Sequence, residues 1–383
     1  MKINYIIICL ALLASCKKTV PESLKTASDN AVLTESGFEN RITYVSNELE
    51  NVQKTRGAIT FSHIANVSAP IFKGDTLSAT GMEVVGNYCY VTYHVAGATY
   101  GGAIEVFDIS NSLKPTIVSQ LLFDDTDINE CTVHQGKLYA VGGRNIYTSN
   151  FTDNNTQGAI LLEVGLVGNK LSKDLRWMAL PSYSGNSVAA INNFLYVVSG
   201  STGGGVYQIN KQSFKIMDTD AYENARYCDV DRTGKKGSVI VLQGLDNPKL
   251  NEYSLSSNFK TSKNSFSLNN KVTPNGKSVI NIDNNDVYVC TGEKSLLVYT
   301  ISDLTSPYKT ISSLGEGYVN GVHCDNEYVY VANGFDGLAI YDRAAFGLKT
   351  IFKYSGSSNY VQSNGKNIFI SNGKGGLKIL KRA

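Results

Sequence analysis

Residues able to carry acid–base or ligand chemistry are sparse in this chain, and they are scattered. The four histidines, His63, His94, His134 and His323, include no pair at i,i+2 or i,i+4 spacing, so no local metal pair exists. No GxSxG elbow, Gly-rich phosphate loop or HExxH motif occurs, and no metal or cofactor is expected. The acidic stretch Asp124-Asp125-Thr126-Asp127 lacks the ligand spacing of a calcium loop and reads as a solvated loop, as does Asp153-Asn154-Asn155. One pattern stands above this background. Thr80, Asn129, Asn186, Ser278, Asn320 and Asn359 each lie two positions before a recurrent apolar residue. Converging on one space, these amides and hydroxyls would bind a small polar ligand or ordered water. The same residue types also open strands, where their side chains satisfy free backbone groups at turns. Three positions further along stand Glu83, Thr132, Asn281, His323 and Gln362, of which Glu83 and His323 form the one ionisable pair. Acid–base work by that pair requires both to face the same space.

The elements that would position these residues are repeats. The strand Tyr88-Cys89-Tyr90-Val91 recurs as Leu138–Val141, Leu195–Val198, Val287–Cys290, Tyr328–Val331 and Ile368–Ile370. Most copies run into a Gly-containing turn and a third strand, such as Leu296–Tyr299 or Leu338–Tyr341, and several show a fourth, such as Thr116–Val118. Ahead of each copy sits an apolar strand, anchored in turn at Met82, Cys131, Val188, Cys228, Ile280, Val322 and Val361. Four short strands in each of seven units of about 40–50 residues predict an all-β fold, a seven-bladed β-propeller of four-stranded blades over 57–383. A lone blade has two apolar faces; packing blades around an axis covers both. The fourth copy is the weakest, with Asp231–Lys236 reading as an insertion between its first two strands. To close the ring, Pro70–Lys73 is expected to supply the fourth strand of the last blade; Gly57–Phe61 and Gly376–Leu380 both resemble a third strand, so one of them is a fifth, outer strand or the seam lies elsewhere.

The first residues read as an export signal. Lys2 precedes an apolar stretch, Ile3–Leu13, too short to span a bilayer, which takes about 20 apolar residues. It ends Leu13-Ala14-Ser15-Cys16, which resembles a bacterial lipobox: residues 1–15 are the signal peptide and Cys16 is the acylated residue. Surface lipoproteins of Bacteroidetes often carry an acidic run after that cysteine; here Lys17-Lys18 follow, and the leaflet stays open between periplasmic and surface-facing sides of an outer membrane. Residues 16–56 form a lipidated tether, with an apolar stripe (Phe38, Ile42, Val45, Leu49) predicting a short helix over about 36–53. Of the seven cysteines Cys9 lies in the signal peptide and Cys16 is the acylated one; the remaining five, Cys89, Cys131, Cys228, Cys290 and Cys324, are odd in number and widely spaced, which argues against a disulfide scaffold. A net charge of +2 points to no nucleic-acid partner.

The phrase Tyr328 to Asp342 (YVYVANGFDGLAIYD) resembles the LVIVD-repeat family and, more distantly, YVTN-type propellers; the copies at 88–109 and 287–301 match less closely. The resemblance implies a bacterial or archaeal cell-surface propeller and carries no shared catalytic residues. The leading expectation is a monomeric, membrane-anchored binding or scaffolding module for an envelope protein or glycan, with Tyr93–Tyr100 offering contact area. The alternatives are an enzyme acting on a glycan or small polar metabolite at the channel mouth, and a structural envelope component. Replacing Cys16 by Ser is expected to abolish labelling by a fatty-acid probe and to move the chain from the detergent phase to the aqueous phase on partitioning.

Overall fold

The computed structural model describes residues 31–45, 61–147 and 157–382, apart from 201, 246, 256–258, 260–262, 274–275 and 294. Seven antiparallel sheets follow one another along the chain, and each has its first strand innermost. Those first strands are Ser78–Val85, Thr126–His134, Ser184–Ile191, Ala225–Val230, Ile280–Asp283, Gly321–Cys324 and Tyr360–Ser363, so every sequence anchor falls in the expected blade. The result is a seven-bladed β-propeller. No helix among the described residues is long and apolar enough to cross a membrane.

Strand chemistry explains the packing. The second strands are runs of β-branched and aromatic residues buried on both faces, as in Tyr328–Ala332. Because side chains alternate between faces, each strand feeds two interfaces. Leu138 and Ala140 of blade two pack on Tyr90, Ile104 and Leu121 of blade one. Tyr139 and Val141, between them in sequence, pack on Val188, Leu195 and Tyr207 of blade three. The hydrophobic core is therefore a set of slabs between neighbouring blades. Cys89, Cys131, Cys228, Cys290 and Cys324 are free thiols buried in these slabs.

The seam differs from the expectation in one respect. Blade seven takes its first three strands from the C-terminal end of the chain, and its fourth is Phe61–Val67, paired with Leu377–Arg382. Pro70–Lys73 does not fill that place: Ile71–Phe72 pairs with Asp75–Thr76 in a small separate hairpin. The reason is burial. Ala65 and Val67 are fully buried in the slab, whereas Ile71 is exposed.

The segment before the propeller is also revised. Of the helix expected over about 36–53, the described residues hold a single 3-10 turn, Glu39–Arg41, which runs straight into the strand Ile42–Tyr44; 46–53 lie outside the described residues. Part of the expected tether is likewise a strand. Ala31–Thr34 adds a fifth, outer strand to blade one through Thr116–Phe123, and Ile42–Tyr44 adds a fifth to blade seven through Phe61–Val67. Phe38 is buried between them, so the apolar stripe is used, but by a turn and a strand rather than by one helical face.

Arg41 locks this crossing. Its guanidinium pairs with the Glu105 carboxylate of blade one, and Nη2 donates to the Ser68 carbonyl at 2.6 Å. Glu105 is fully buried, and its Oε1 also accepts from Gln120 Nε2 at 2.6 Å. Tyr44 adds a further link, its hydroxyl donating to the Pro115 carbonyl at 2.9 Å. Arg41→Ala leaves a buried carboxylate without its cation, a change that costs roughly 3 kcal/mol or more. The urea midpoint should fall accordingly, and adding Glu105→Gln to Arg41→Ala should recover much of the loss.

Candidate functional site

The short polar residues singled out in the sequence meet at one mouth of the central channel, where Thr80, Asn129, Asn186, Asn320 and Asn359 line one cavity. Their placement comes from irregularities in the innermost strands. In blade two, Ile128 faces Gly142 and Glu130 faces Val141, so Asn129 is the extra residue of a β-bulge. Asn186 and Arg226 are the extra residues of matching bulges in blades three and four, and the shift in blade one falls between Ala79 and Met82. A bulge re-aims one side chain out of the ladder, here toward the axis. Arg226 stands in the same register as the ring residues, two positions before Cys228. It escaped the sequence reading because that reading sought short amides and hydroxyls.

The ring is first of all a latch. Six positions, one in every blade but the fifth, donate to a backbone carbonyl of the next blade: Thr80 Oγ1 to Ile128 O at 2.9 Å, Asn129 Nδ2 to Gly185 O at 2.9 Å, and Asn186 Nδ2 to Ala225 O at 2.8 Å. Arg226 donates to the Gly276 carbonyl, Asn320 Nδ2 to Ser358 O at 3.1 Å, and Asn359 Nδ2 to Ala79 O at 3.0 Å, which crosses the seam and returns the circuit to blade one. Ser278 departs from the pattern: it is fully buried and its hydroxyl has no partner. The side-chain oxygens of the amides turn the other way. Asn129 Nδ2 faces two acceptors, Gly185 O and Ser184 Oγ, which fixes the amide orientation. Its Oδ1 therefore faces His94 Nδ1 at 3.3 Å, and that nitrogen must carry the proton. Ser357 Oγ donates to Asn359 Oδ1 at 3.0 Å and Lys277 N to Asn320 Oδ1 at 3.3 Å.

Below the ring the channel is plugged. Lys277 reaches across the axis from the head of blade five, and its Nζ donates to Glu130 Oε2 at 2.7 Å, Thr80 O at 2.8 Å and Asn129 O at 2.9 Å. Glu130 also accepts from the Tyr227 hydroxyl at 3.3 Å, and Tyr227 bonds Tyr360 at 2.9 Å. The carboxylate lies against Gly81, where a Cβ would sit 2.5 Å from Oε1, so only glycine leaves room for it. Burial pushes the Glu130 carboxyl up, and Lys277 opposes the shift.

Glu83 and His323 lie in the innermost strands further along, on the other side of this plug. Their side of the strand does reach the channel: Glu83 of blade one senses Arg232 and Asp229 of blade four, across the ring. Arg232 Nη1 donates to Asp229 Oδ1 at 2.7 Å, so the segment read as an insertion delivers a cation to the axis. No hydrogen bond joins Glu83 to His323 among the described residues: Gln362 Oε1, beside Glu83, accepts from Val84 N at 2.7 Å, and His323 Nδ1 accepts from Ser363 N at 3.2 Å. Elsewhere, the acidic loop is divided: Asp125 pairs with Arg144 at 3.0 Å, while Asp127 Oδ1 accepts from Gly101 N at 3.1 Å. Among the described residues no group of His, Cys, Asp and Glu could hold a metal ion. Asp153–Asn155 lies outside the described residues.

The mouth cavity holds about 480 Å³, and the exposed Phe335 forms part of its wall. Burial pushes His94 down to about 4, so it is neutral there at physiological pH. Burial pushes Asp127 up to about 7 against the opposing bonds from Gly101 and Val95.

No family model matches this chain, and no curated protein matches it. Solved structures share its architecture. The WD40 β-propeller domain of Doa1 aligns with a TM-score of 0.55 at 10% identity, covering 82% of this chain and 96% of that one. The computationally designed Ika8 protein aligns with a TM-score of 0.50 at 11% identity, covering 82% and 98%. At such identities the likeness establishes the propeller fold alone and leaves function to the site.

The channel carboxyls make a pH signature. Burial pushes Glu83 up to about 7 from an ordinary 4.5. Between those values the folded chain keeps a proton that the unfolded chain has released. The group's contribution is therefore present in acid and lost as the pH rises through 7. The buried His323, pushed down to about 4 from 6.5, has the opposite sign: its contribution is present above 6.5 and lost as the pH falls. Glu83→Gln removes only the first term. Its urea midpoint relative to the parent should rise from pH 5 to about pH 7 and level off above it; a constant difference would show that Glu83 does not titrate in this window.

Proposed function

We propose that this chain is a binding propeller that takes an uncharged, donor-rich polar ligand at the channel mouth. The observation that carries the reading is the direction of the latch. The amide nitrogens of the ring are spent on neighbouring blades, and Lys277 and Arg226 spend donors on Glu130 and on backbone carbonyls. The cavity of about 480 Å³ is lined by Asn129, Asn320 and Asn359, whose carbonyl oxygens the latch leaves free of its own bonds, together with Arg226 and Lys277, whose donors are spent as above. Each of these oxygens accepts one hydrogen bond from the protein and has a second lone pair to offer. Hydroxyl groups are the complement of such a surface. The volume falls within the range of small-ligand pockets. An enzymatic reading has less support, because Glu83 and His323 lie beyond the plug from the mouth and no hydrogen bond joins them.

The setting we propose follows from the N-terminal sequence and the LVIVD-like phrase: a monomeric outer-membrane lipoprotein, anchored by the lipid on Cys16 and presenting the propeller at the cell envelope.

Titration calorimetry with polyols and monosaccharides, set against inorganic phosphate and dicarboxylates, tests the mouth. Hydroxylated neutral compounds should bind and the anions should not. Phe335→Ala changes an exposed wall residue outside the latch and should weaken binding roughly three- to tenfold, the value of one aromatic contact. Preference for the anions, or indifference to Phe335→Ala, overturns the reading.

A further inference from the structure

The mouth cavity does not end at the ring. It shares His94 and Asn129 with a second cavity of about 220 Å³, which extends outward past Thr99 and Asp127. The second shares Tyr100 and Tyr183 with a third of about 410 Å³, walled by Asn145 and Tyr147. Together they make one trough across the loop face, running from the axis toward the rim over blades one to three. Two of its three tyrosines are held out from the surface: Tyr183 is 62% exposed and Tyr147 is 92% exposed. Tyr100 and Tyr183 stand together where the second and third cavities meet.

The lining is of one chemical kind. Between the aromatic faces stand amides and hydroxyls, on Asn129, Asn145, Thr99 and Ser184. Among the described residues the two outer cavities carry one carboxyl, Asp127, and no Lys or Arg. A charged partner has little to pair with. An extended peptide has no unpaired strand edge to join there, because the trough crosses the ends of the strands rather than their sides. A sugar chain has both features the trough asks for. Its ring faces carry C–H groups that lie against an aromatic face, and its edges carry hydroxyls for the amide oxygens.

Resting on the proposed reading of the mouth, we infer that the trough binds a linear, neutral oligosaccharide, with its end residue at the Asn129 end and the following residues laid over Tyr100, Tyr183 and Tyr147. The inference names the ligand class and predicts that affinity grows with chain length.

The full chain should be screened on an array of bacterial, plant and animal glycans, and the strongest series followed by calorimetry from monosaccharide to tetrasaccharide. The tetrasaccharide should bind at least tenfold more tightly than the monosaccharide. Tyr183→Ala and Tyr147→Ala, both changes at exposed positions, should each cost the tetrasaccharide roughly five- to tenfold and leave the monosaccharide unchanged. Phe335→Ala should weaken both. Equal affinity for short and long chains, silence across the array, or a peptide that binds in a Tyr183-dependent manner would overturn the inference. The two readings fail separately. Binding of a hydroxylated small molecule that depends on Phe335 but gains nothing from length removes the trough and leaves the mouth. Length-dependent binding lost in Tyr183→Ala but untouched by Phe335→Ala removes the mouth and leaves the trough.

Discussion

Seven blades stand in a ring, and the structure depends on the join between the last and the first. The join is made at three radii. At the axis, Asn359 donates to the Ala79 carbonyl and completes the circuit of side-chain latches. At mid-blade, Phe61–Val67 pairs with Leu377–Arg382, so one sheet is built from both ends of the propeller sequence. At the rim, Arg41 ties the chain crossing from blade one to blade seven to the buried Glu105. Without that join the slabs between blades, which carry the hydrophobic core, would have two open faces exposed to water.

The latch also determines what the mouth can recognise. A ring of asparagines appears at first sight to offer donors and acceptors equally. In the folded chain the nitrogens are used for architecture, and the cations that might have drawn an anionic ligand are drawn inward, Lys277 onto Glu130 and Arg226 onto a carbonyl. On the proposed reading, binding character is a residue of structural duty: the amide oxygens of the ring are what the latch leaves to a ligand. The same plug, Lys277 on Glu130, stands between the ring and the Glu83–Asp229–Arg232 group further along the innermost strands.

Much of this was legible in the sequence. Met82, Cys131, Val188, Cys228, Ile280, Val322 and Val361 each anchor an innermost strand, because a buried strand leaves a strong apolar signal at a fixed distance from its hairpin. The register of the polar ring followed from the same alignment. The bulges that aim it did not, since a bulge is two residues facing one and needs the partner strand to be seen. Pro70–Lys73 was chosen for the seam because a short apolar run reads alike in a closing strand and in a solvent hairpin; the burial of Ala65 and Val67 decides between them. Phe38, Ile42 and Val45 satisfy helical spacing, yet Ile42–Tyr44 pairs with Ala65–Val67 of blade seven, a long-range ladder that local spacing does not carry. Arg41 and Glu105 stand 64 positions apart, and nothing local connects them.

The outer strand Ala31–Thr34 has a mechanical consequence. It holds blade one through four residue pairs, Ala31 with Phe123 to Thr34 with Gln120, and whatever precedes Ala31 joins the propeller at that rim. Tension on the N-terminal side therefore loads this short strand before it reaches the Arg41 clasp or the closing strand. Four pairs at an edge can peel and re-form while the ring behind them stays shut, so the propeller carries a sacrificial hinge that yields first and spares the seam.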